Sequence, residues 1–150
     1  MAEGKICRNS FHIKKGIARK FYRNDAKEIT TDFYFEDDIA IAFNSYTFQT
    51  PSTEIIECLT DVEVRITHRE DWEAAKSKFP QLLKLDILLT EIYTGSLEED
   101  LYDLRVLNAT QRYQKLLGEA PELLQHVKLT YIASYLNISL ETLSRIRAKL

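Results

Sequence analysis

The chain has 150 residues, 45% hydrophobic and 29% charged, with 20 Lys and Arg against 23 Asp and Glu for a formal net charge of −3. This is enough apolar material for one ordinary core or two small ones in a globular protein. No apolar run nears the roughly eighteen residues that cross a bilayer, and no leader-like apolar region follows the first basic residues, so a cytoplasmic address is the default.

From Ile6 to Thr67, runs rich in Ile, Val, Phe, Tyr and Thr are broken by turn residues, as in KEITTDFYFEDD and TEIIECLTDVEVRIT, and predict β structure. Gly16, after Lys14 and Lys15, marks a hairpin position that needs a positive φ. In IARKFYRND, Ile17, Phe21 and the stem of Arg19 share one face, and Asn24-Asp25 supplies turn chemistry before a strand that starts near Lys27. The basic residues Lys14, Lys15, Arg19, Lys20 and Arg23 read as a solvated strand face, with a protein-partner surface as the alternative.

After His68 the period changes. HREDWEAAKSKFP predicts a short helix with acids in its first turn that stops near Pro80, and Trp72 reads as an anchor between this helix and the β structure. From Gln81 to about Leu107, Leu82, Leu85, Leu89, Tyr93, Leu97, Leu101, Leu104 and Leu107 follow one another at steps of three or four along about seven turns. A helix this long in so small a protein exceeds its own core, and homodimerisation through it is the natural solution; an intramolecular core helix is the alternative. Gly95 costs about 1 kcal/mol relative to alanine, which a close backbone approach or a bend would explain. ATQRYQKLLGEAPELLQHV predicts a helix to about Leu117, a break at Gly118 and a second short helix opened by Pro121.

The last stretch, LTYIASYLNISLETLSRIRAKL, fits a helix-turn-helix. Two helices that cross steeply need a small residue at their contact, where Ala133 stands, and a left-handed residue four positions on, where Asn137 stands. Ile132, Leu136, Ile138, Leu143 and Ile146 fall where a shared core needs apolar groups, and Ser139 is a good N-cap for the second helix. The outward positions are then Leu140, Glu141, Ser144 and Arg145, able to read bases in a major groove, where Arg grips guanine and Glu accepts from cytosine. Thr130, Ser139 and Thr142 suit phosphate contacts, joined by the charges of Lys128, Arg147 and Lys149. The acids of SLEED and LYDL are expected on a different element, several Debye lengths away.

With a β-rich first half, a long helix and this terminal motif in that order, the chain resembles the Crp/Fnr family of bacterial transcription regulators over nearly all its length. SLETLSRIRAKL looks like the family's recognition helix, whose typical pattern is Ser-Arg-Glu-Thr-x-x-Arg; Leu140 replaces the first base-reading Arg, so the operator should differ. The resemblance implies an α+β fold: a partial double-stranded, jelly-roll-like β-roll of the cyclic-nucleotide-binding type over residues 1–79, a connecting and dimerisation helix over 80–108 carrying Leu85, Leu89, Tyr93, Leu97, Leu101 and Leu104, and a helix-turn-helix domain over 109–150. It further implies palindromic double-stranded DNA as partner, read by residues 140–149. The family's phosphate-binding cassette is degenerate: its Gly-Glu and Arg-Ser positions correspond to Ala40, Ile41, Pro51 and Ser52, and without the Arg a buried phosphate would forfeit about 1.5–3 kcal/mol. Cyclic AMP is therefore not the expected effector, and no cofactor is expected. Family members usually carry an N-terminal helix and further strands before a segment like EGKICRNSFHIKKG, so either those strands are missing or the start lies upstream.

An enzyme is not expected. His12, His68 and His126 are far apart with no His-x-His pair, and Cys7 and Cys58 have no CxxC or His partner, so they read as two buried free thiols rather than zinc or cluster ligands. Asp37-Asp38 and Glu98-Glu99-Asp100 point apart on strand or helix and read as solvated surface. A degenerate sensor acting through a protein partner, without DNA, is the competing reading. Activation of transcription would need a patch for RNA polymerase, and the sequence singles out none.

Overall fold

The computed structural model describes residues 1–25 and 27–149. Two short antiparallel sheets form first. Strand β1 (Asn9–Lys15) lies between β4 (Ile39–Ala40) and β6 (Glu63–His68), pairing Phe11 with both Ala40 and Ile66. Strand β2 (Ala18–Asn24) lies between β3 (Lys27–Tyr34) and β5 (Glu54–Cys58), with Lys20 opposite both Asp32 and Ile56. Ile13, Ala18, Tyr34, Ala40 and Ile56 meet in one buried cluster, so the two sheets face each other as a roll.

Gly16 does take a positive φ, +94°, and a Cβ there would strike the Asp61 carbonyl oxygen at 2.3 Å. It makes no hairpin, however: β1 and β2 do not pair, and Gly16 carries the chain from one sheet to the other. Asp25, at φ 53°, turns the chain from β2 as expected.

The solvated basic face is corrected at two positions. Ala18, Arg19, Lys20 and Phe21 are all buried, because β2 is the middle strand of its sheet and is covered on both faces. Arg19 and Phe21 do share a face with Ile17, which packs with the C-terminal helices. Of the thiols, Cys7 is buried and Cys58 is exposed at the end of β5. The β region also contains a helix the sequence did not suggest, α1 (Phe43–Phe48), closed by Gln49 in the left-handed region; the buried Ser45 hydroxyl accepts from the Cys7 N–H and donates to the Thr50 carbonyl.

Helix α2 (Arg69–Lys78) has Glu70 and Asp71 in its first turn. Trp72 ties it to the next helix: its Nε1 donates to Asp86 Oδ1 at 2.9 Å, on helix α3 (Leu82–Val106), and Lys76 reaches the other oxygen at 2.7 Å. Helix α3 runs roughly 38 Å at 1.5 Å per residue, and none of its residues is buried.

Helix α4 (Ala109–Glu119) opens on a reciprocal capping box, with Asn108 accepting from the Gln111 N–H and Gln111 accepting from the Asn108 N–H. The break expected at Gly118 falls two residues later: the helix continues to Glu119 and ends at Ala120, with Leu116 and Ala120 buried at its last turn. Helix α5 (Leu123–His126) follows, then α6 (Leu129–Tyr135) and α7 (Leu140–Arg147). Tyr113, Leu116, Leu123, Val127, Ile132, Ala133, Leu136, Leu143 and Ile146 form one core, which runs on into the roll through Ile17 with Phe33, Phe35 and Leu59 packed against it. No helix among the described residues is long and apolar enough to cross a membrane.

Candidate nucleic-acid interface and the adjoining cavity

The turn between α6 and α7 is built by backbone bonds that only a left-handed residue permits. Asn137 sits at φ 52°; its N–H bonds the Ser134 carbonyl, and the Ile138 N–H bonds the Ala133 carbonyl, both at 3.0 Å. This Schellman pattern ends α6 and throws the chain across Ala133, which is buried where the helices meet. Arg112 locks the turn from outside: Nε and Nη2 donate to the Leu136 carbonyl at 3.2 and 3.1 Å, and Nη1 donates to the Leu107 carbonyl at 2.6 Å. This role for Arg112 has no signature in the sequence, since a guanidinium serving carbonyls has no spacing rule.

Ser139 caps α7, accepting from the Thr142 N–H at 3.1 Å. Leu143 and Ile146 are buried, which turns Leu140, Glu141, Ser144 and Arg145 outward. Arg145 Nη2 rests on the Thr142 hydroxyl at 3.1 Å, a contact that aims the guanidinium along the exposed face. Lys128, Thr130, Arg147 and Lys149 are exposed as well, and Glu141 is the lone acid among the four cations of residues 128–149. Its carboxyl is held below its ordinary pKa, first by its own backbone N–H and then by the Ser139 hydroxyl, with a smaller part from Arg145.

Helix α6 is fastened to the roll. Ser134 Oγ accepts from the Thr30 N–H at 3.0 Å and donates to the Glu28 carbonyl at 2.9 Å, along the edge strand β3. Beneath it Arg19, 1% exposed, pairs with Glu28 and Glu57, and its guanidinium lies between the Phe21 ring at 4.0 Å and the Tyr131 ring at 3.5 Å. A cation sandwiched between β2 and α6 makes the motif part of the roll's packing.

A cavity of about 610 Å³ opens between β2 and β3, the side of α3, and the α6–α7 turn. Lys20 and Tyr22 from β2, Asp32 from β3, Glu54 from β5, Tyr93 and Asp100 from α3, and Tyr135 from α6 line it. Ala40, Ile41, Pro51 and Ser52 do not: Ala40 is in the roll core, Ile41 is half-buried ahead of α1, Pro51 bridges to Ile6, and the Ser52 hydroxyl is engaged by the Glu54 backbone. Lys20 Nζ lies 3.0 Å from Asp32, 3.4 Å from Glu54 and 5.9 Å from the Tyr93 ring; burial alone would lower its pKa, but Asp32, Tyr34 and Glu54 outweigh this and raise it. Tyr22 donates to Glu54 at 3.0 Å, and burial and that carboxylate push its hydroxyl up to about 12. Asp100 is pushed up to about 6, by burial first and then by Asp32 and Asp103. The acids of SLEED and LYDL are thus not remote from the motif: Asp100 and Asp103 share the cavity with residues 134–137, and Lys115 of α4 reaches across to Glu99 and Asp103.

Of the stripe expected to dimerise, Tyr93 stacks on Phe43 at 4.7 Å, and Leu97 and Leu104 line the cavity of their own chain. Leu85, Leu89 and Leu101 are 38–48% exposed. A second set, Leu88, Ile92, Tyr102 and Val106, is 50–61% exposed and falls on a three-four spacing that passes through Gly95 and Glu99. Among the described residues, apart from its own helix backbone and chain neighbours, nothing comes within 4 Å of a Cβ at Gly95.

Roll, long helix and terminal helix pair follow one another in this order, and solved structures of Crp/Fnr regulators share that architecture. FixK2 from Bradyrhizobium japonicum matches at a TM-score of 0.82 and 19% identity over 99% of this chain and 78% of its own. The c-di-GMP-responsive global regulator CLP of Xanthomonas campestris matches at 0.73 and 15%, over 99% and 80%. A transcriptional regulator of the Crp/Fnr family from Eubacterium rectale matches at 0.72 and 17%, over 95% and 68%. No family model and no curated protein matches the sequence. The α+β fold of the Crp/Fnr regulators is therefore the fold of this chain.

Proposed function

We propose that this chain is a transcription regulator of the Crp/Fnr type, not an enzyme, which binds palindromic double-stranded DNA as a homodimer in the cytoplasm. Residues 1–79 are its β-roll, 80–108 its dimerisation helix and 109–150 its DNA-binding domain. The recognition segment 140–149 enters the major groove with Leu140, Glu141, Ser144 and Arg145 on base edges, while Lys128, Thr130, Ser139, Thr142, Arg147 and Lys149 hold phosphates. Leu140 offers only an apolar contact, suited to a thymine methyl. The observation that carries this reading is the exposed face of α7 and its C-terminal end: buried Leu143 and Ile146 fix its rotation, and Arg145, Arg147 and Lys149 stand outward, with Glu141 the one acid on that face.

The half-exposed apolar rows of α3 support dimerisation, since a two-helix seam would cover side chains that this chain alone leaves in water. Cyclic AMP is a poor fit to the cavity, whose cations are already engaged: Lys20 by Asp32 and Glu54, Lys115 by Glu99 and Asp103, Arg112 by two carbonyls. A partner-only sensor would have no use for the bare cationic face of α7.

The test is a selection from randomised duplex DNA with the purified protein. A palindromic consensus is expected, with Arg145→Ala weakening the selected site tenfold or more while sparing much of the binding to unrelated duplex. Failure to enrich any palindrome would refute the proposal.

A further inference from the structure

The contact between β2 and α6 continues outward to the surface at both of its ends. Arg19, Phe21 and Arg23 follow one another at every second residue of β2 and so share one face of the strand. The buried Arg19 guanidinium lies 4.0 Å from the Phe21 ring and 3.5 Å from the Tyr131 ring of α6. The Arg23 guanidinium lies 6.0 Å from the Phe21 ring, and the Lys128 ammonium lies 5.5 Å from the Tyr131 ring. Cations and rings therefore alternate in one row, from Arg23 through Phe21, Arg19 and Tyr131 to Lys128, which begins beside the β2–β3 turn and ends at the N-cap of α6.

The middle of this row is neutralised and its ends are not. Arg19 is engaged by Glu28 and Glu57. Arg23 and Lys128 are exposed, as is Lys27, which stands opposite Asn24 across the turn, and among the described residues none of the three has an ion-pair partner. The acids at the turn are Asp25 and Glu28, and Glu28 is already taken by Arg19. Two free cations thus face one free acid there. Ser134, bonded to the Thr30 N–H and the Glu28 carbonyl, ties this end of the hairpin to the helix that carries Lys128 and Thr130.

We propose that the β2–β3 turn is a second DNA-contacting element, in which Arg23 and Lys27 hold backbone phosphates of the duplex flanking the half-site that α7 reads. This rests on the regulator proposed above and carries its interface from the helix pair onto the roll. Four steps of 3.5–6.0 Å lead from Lys128 to Arg23, so the turn meets phosphates a few nucleotides beyond those of Lys128, at about 3.4 Å of rise per nucleotide on one strand. Phosphate contacts carry no sequence information, and the turn adds affinity without changing the consensus. The ladder and the Ser134 bonds hold turn and α6 together, so little ordering is needed when both meet the backbone.

Duplex length separates this contact from the one made by α7. Fluorescence anisotropy with the full chain compares a duplex limited to the selected palindrome with the same palindrome extended by about one helical turn on each side. At about 50 mM salt the extended duplex is expected to bind about tenfold tighter or more, with a log–log salt slope steeper by about 3 to 4, the counterion release of four further phosphates per dimer. Arg23→Ala combined with Lys27→Ala removes both differences, with the urea midpoint at the parent value because both side chains stand in water. Asp25→Asn has the opposite sign: it removes the free acid of the turn, keeps a residue type that tolerates the φ of 53°, and tightens the extended complex about threefold with no gain on the short one. Such a gain cannot arise from damage to the fold. The proposal falls if the parent binds both duplexes alike, if the double variant keeps the advantage of the extended duplex, or if Asp25→Asn brings no gain. A chain that selects no palindrome overturns the regulator, whereas selection without any effect of duplex length overturns only the contact at the turn.

Discussion

Replacing Asp100 by Asn should make this protein more stable at neutral pH, and the size of the gain follows from the cavity. A carboxyl whose pKa rises from 3.8 to about 6 on folding destabilises the folded state when ionised. At about 1.4 kcal/mol per pK unit this is about 3 kcal/mol for a fully sheltered group, and half-exposure to solvent brings it to about 1.5 kcal/mol. The sign is set by proton uptake: between pH 4 and 6 the folded chain holds a proton on Asp100 that the unfolded chain has released, so stability falls as pH rises through that window. Asn carries no charge and escapes the loss. Urea denaturation at one fixed protomer concentration should therefore give Asp100→Asn an advantage of about 1.5 kcal/mol at pH 7.5 that closes to near zero by pH 4. An unchanged or less stable variant at pH 7.5, or an advantage that persists at pH 4, would show that burial and Asp32 do not act on Asp100 as described.

Other consequences can be measured in the same way. Arg19→Ala removes the cation that fills the space between Phe21 and Tyr131 and leaves Glu28 and Glu57 facing each other; a loss of about 3 kcal/mol in urea denaturation is expected, at the low end for a buried pair because both acids reach solvent. Leu143→Ala opens the centre of the helix-turn-helix core and should cost about 2–5 kcal/mol, with a lower melting temperature as the readout. Ile92→Lys places a charge in the exposed row of α3, and sedimentation should show a dimeric parent becoming monomeric with its helical content unchanged. A monomeric parent would remove the basis for the seam.

Much of the C-terminal third was legible because helix-turn-helix geometry constrains residue types locally: a small residue at Ala133, a left-handed one at Asn137 and an N-cap at Ser139 are each fixed within a few positions of one another. The long helix and the β character of the first half were legible from periodicity. What stayed hidden depends on pairing between distant strands. Lys20 looks like any strand lysine until the register sets it opposite Asp32, and its burial follows from β2 being a central strand. Arg19, Arg112 and Asp100 gain their roles from α6 docking on β3 and from the Lys115 bridge between α4 and α3, which no sequence spacing encodes. The break expected at Gly118 moved to Ala120 for a related reason, since packing of Leu116 and Ala120 outweighs the roughly 1 kcal/mol that glycine costs a helix.

The most direct test is the salt dependence of binding to a selected palindromic duplex. Lys128, Arg147 and Lys149 offer three cations per protomer to the phosphates, so a dimer should release counterions with a log–log slope of about −5 and lose about a thousandfold in affinity between 50 and 200 mM salt. A slope near zero, or equal affinity for a scrambled duplex, would mean that α7 does not lie in a major groove.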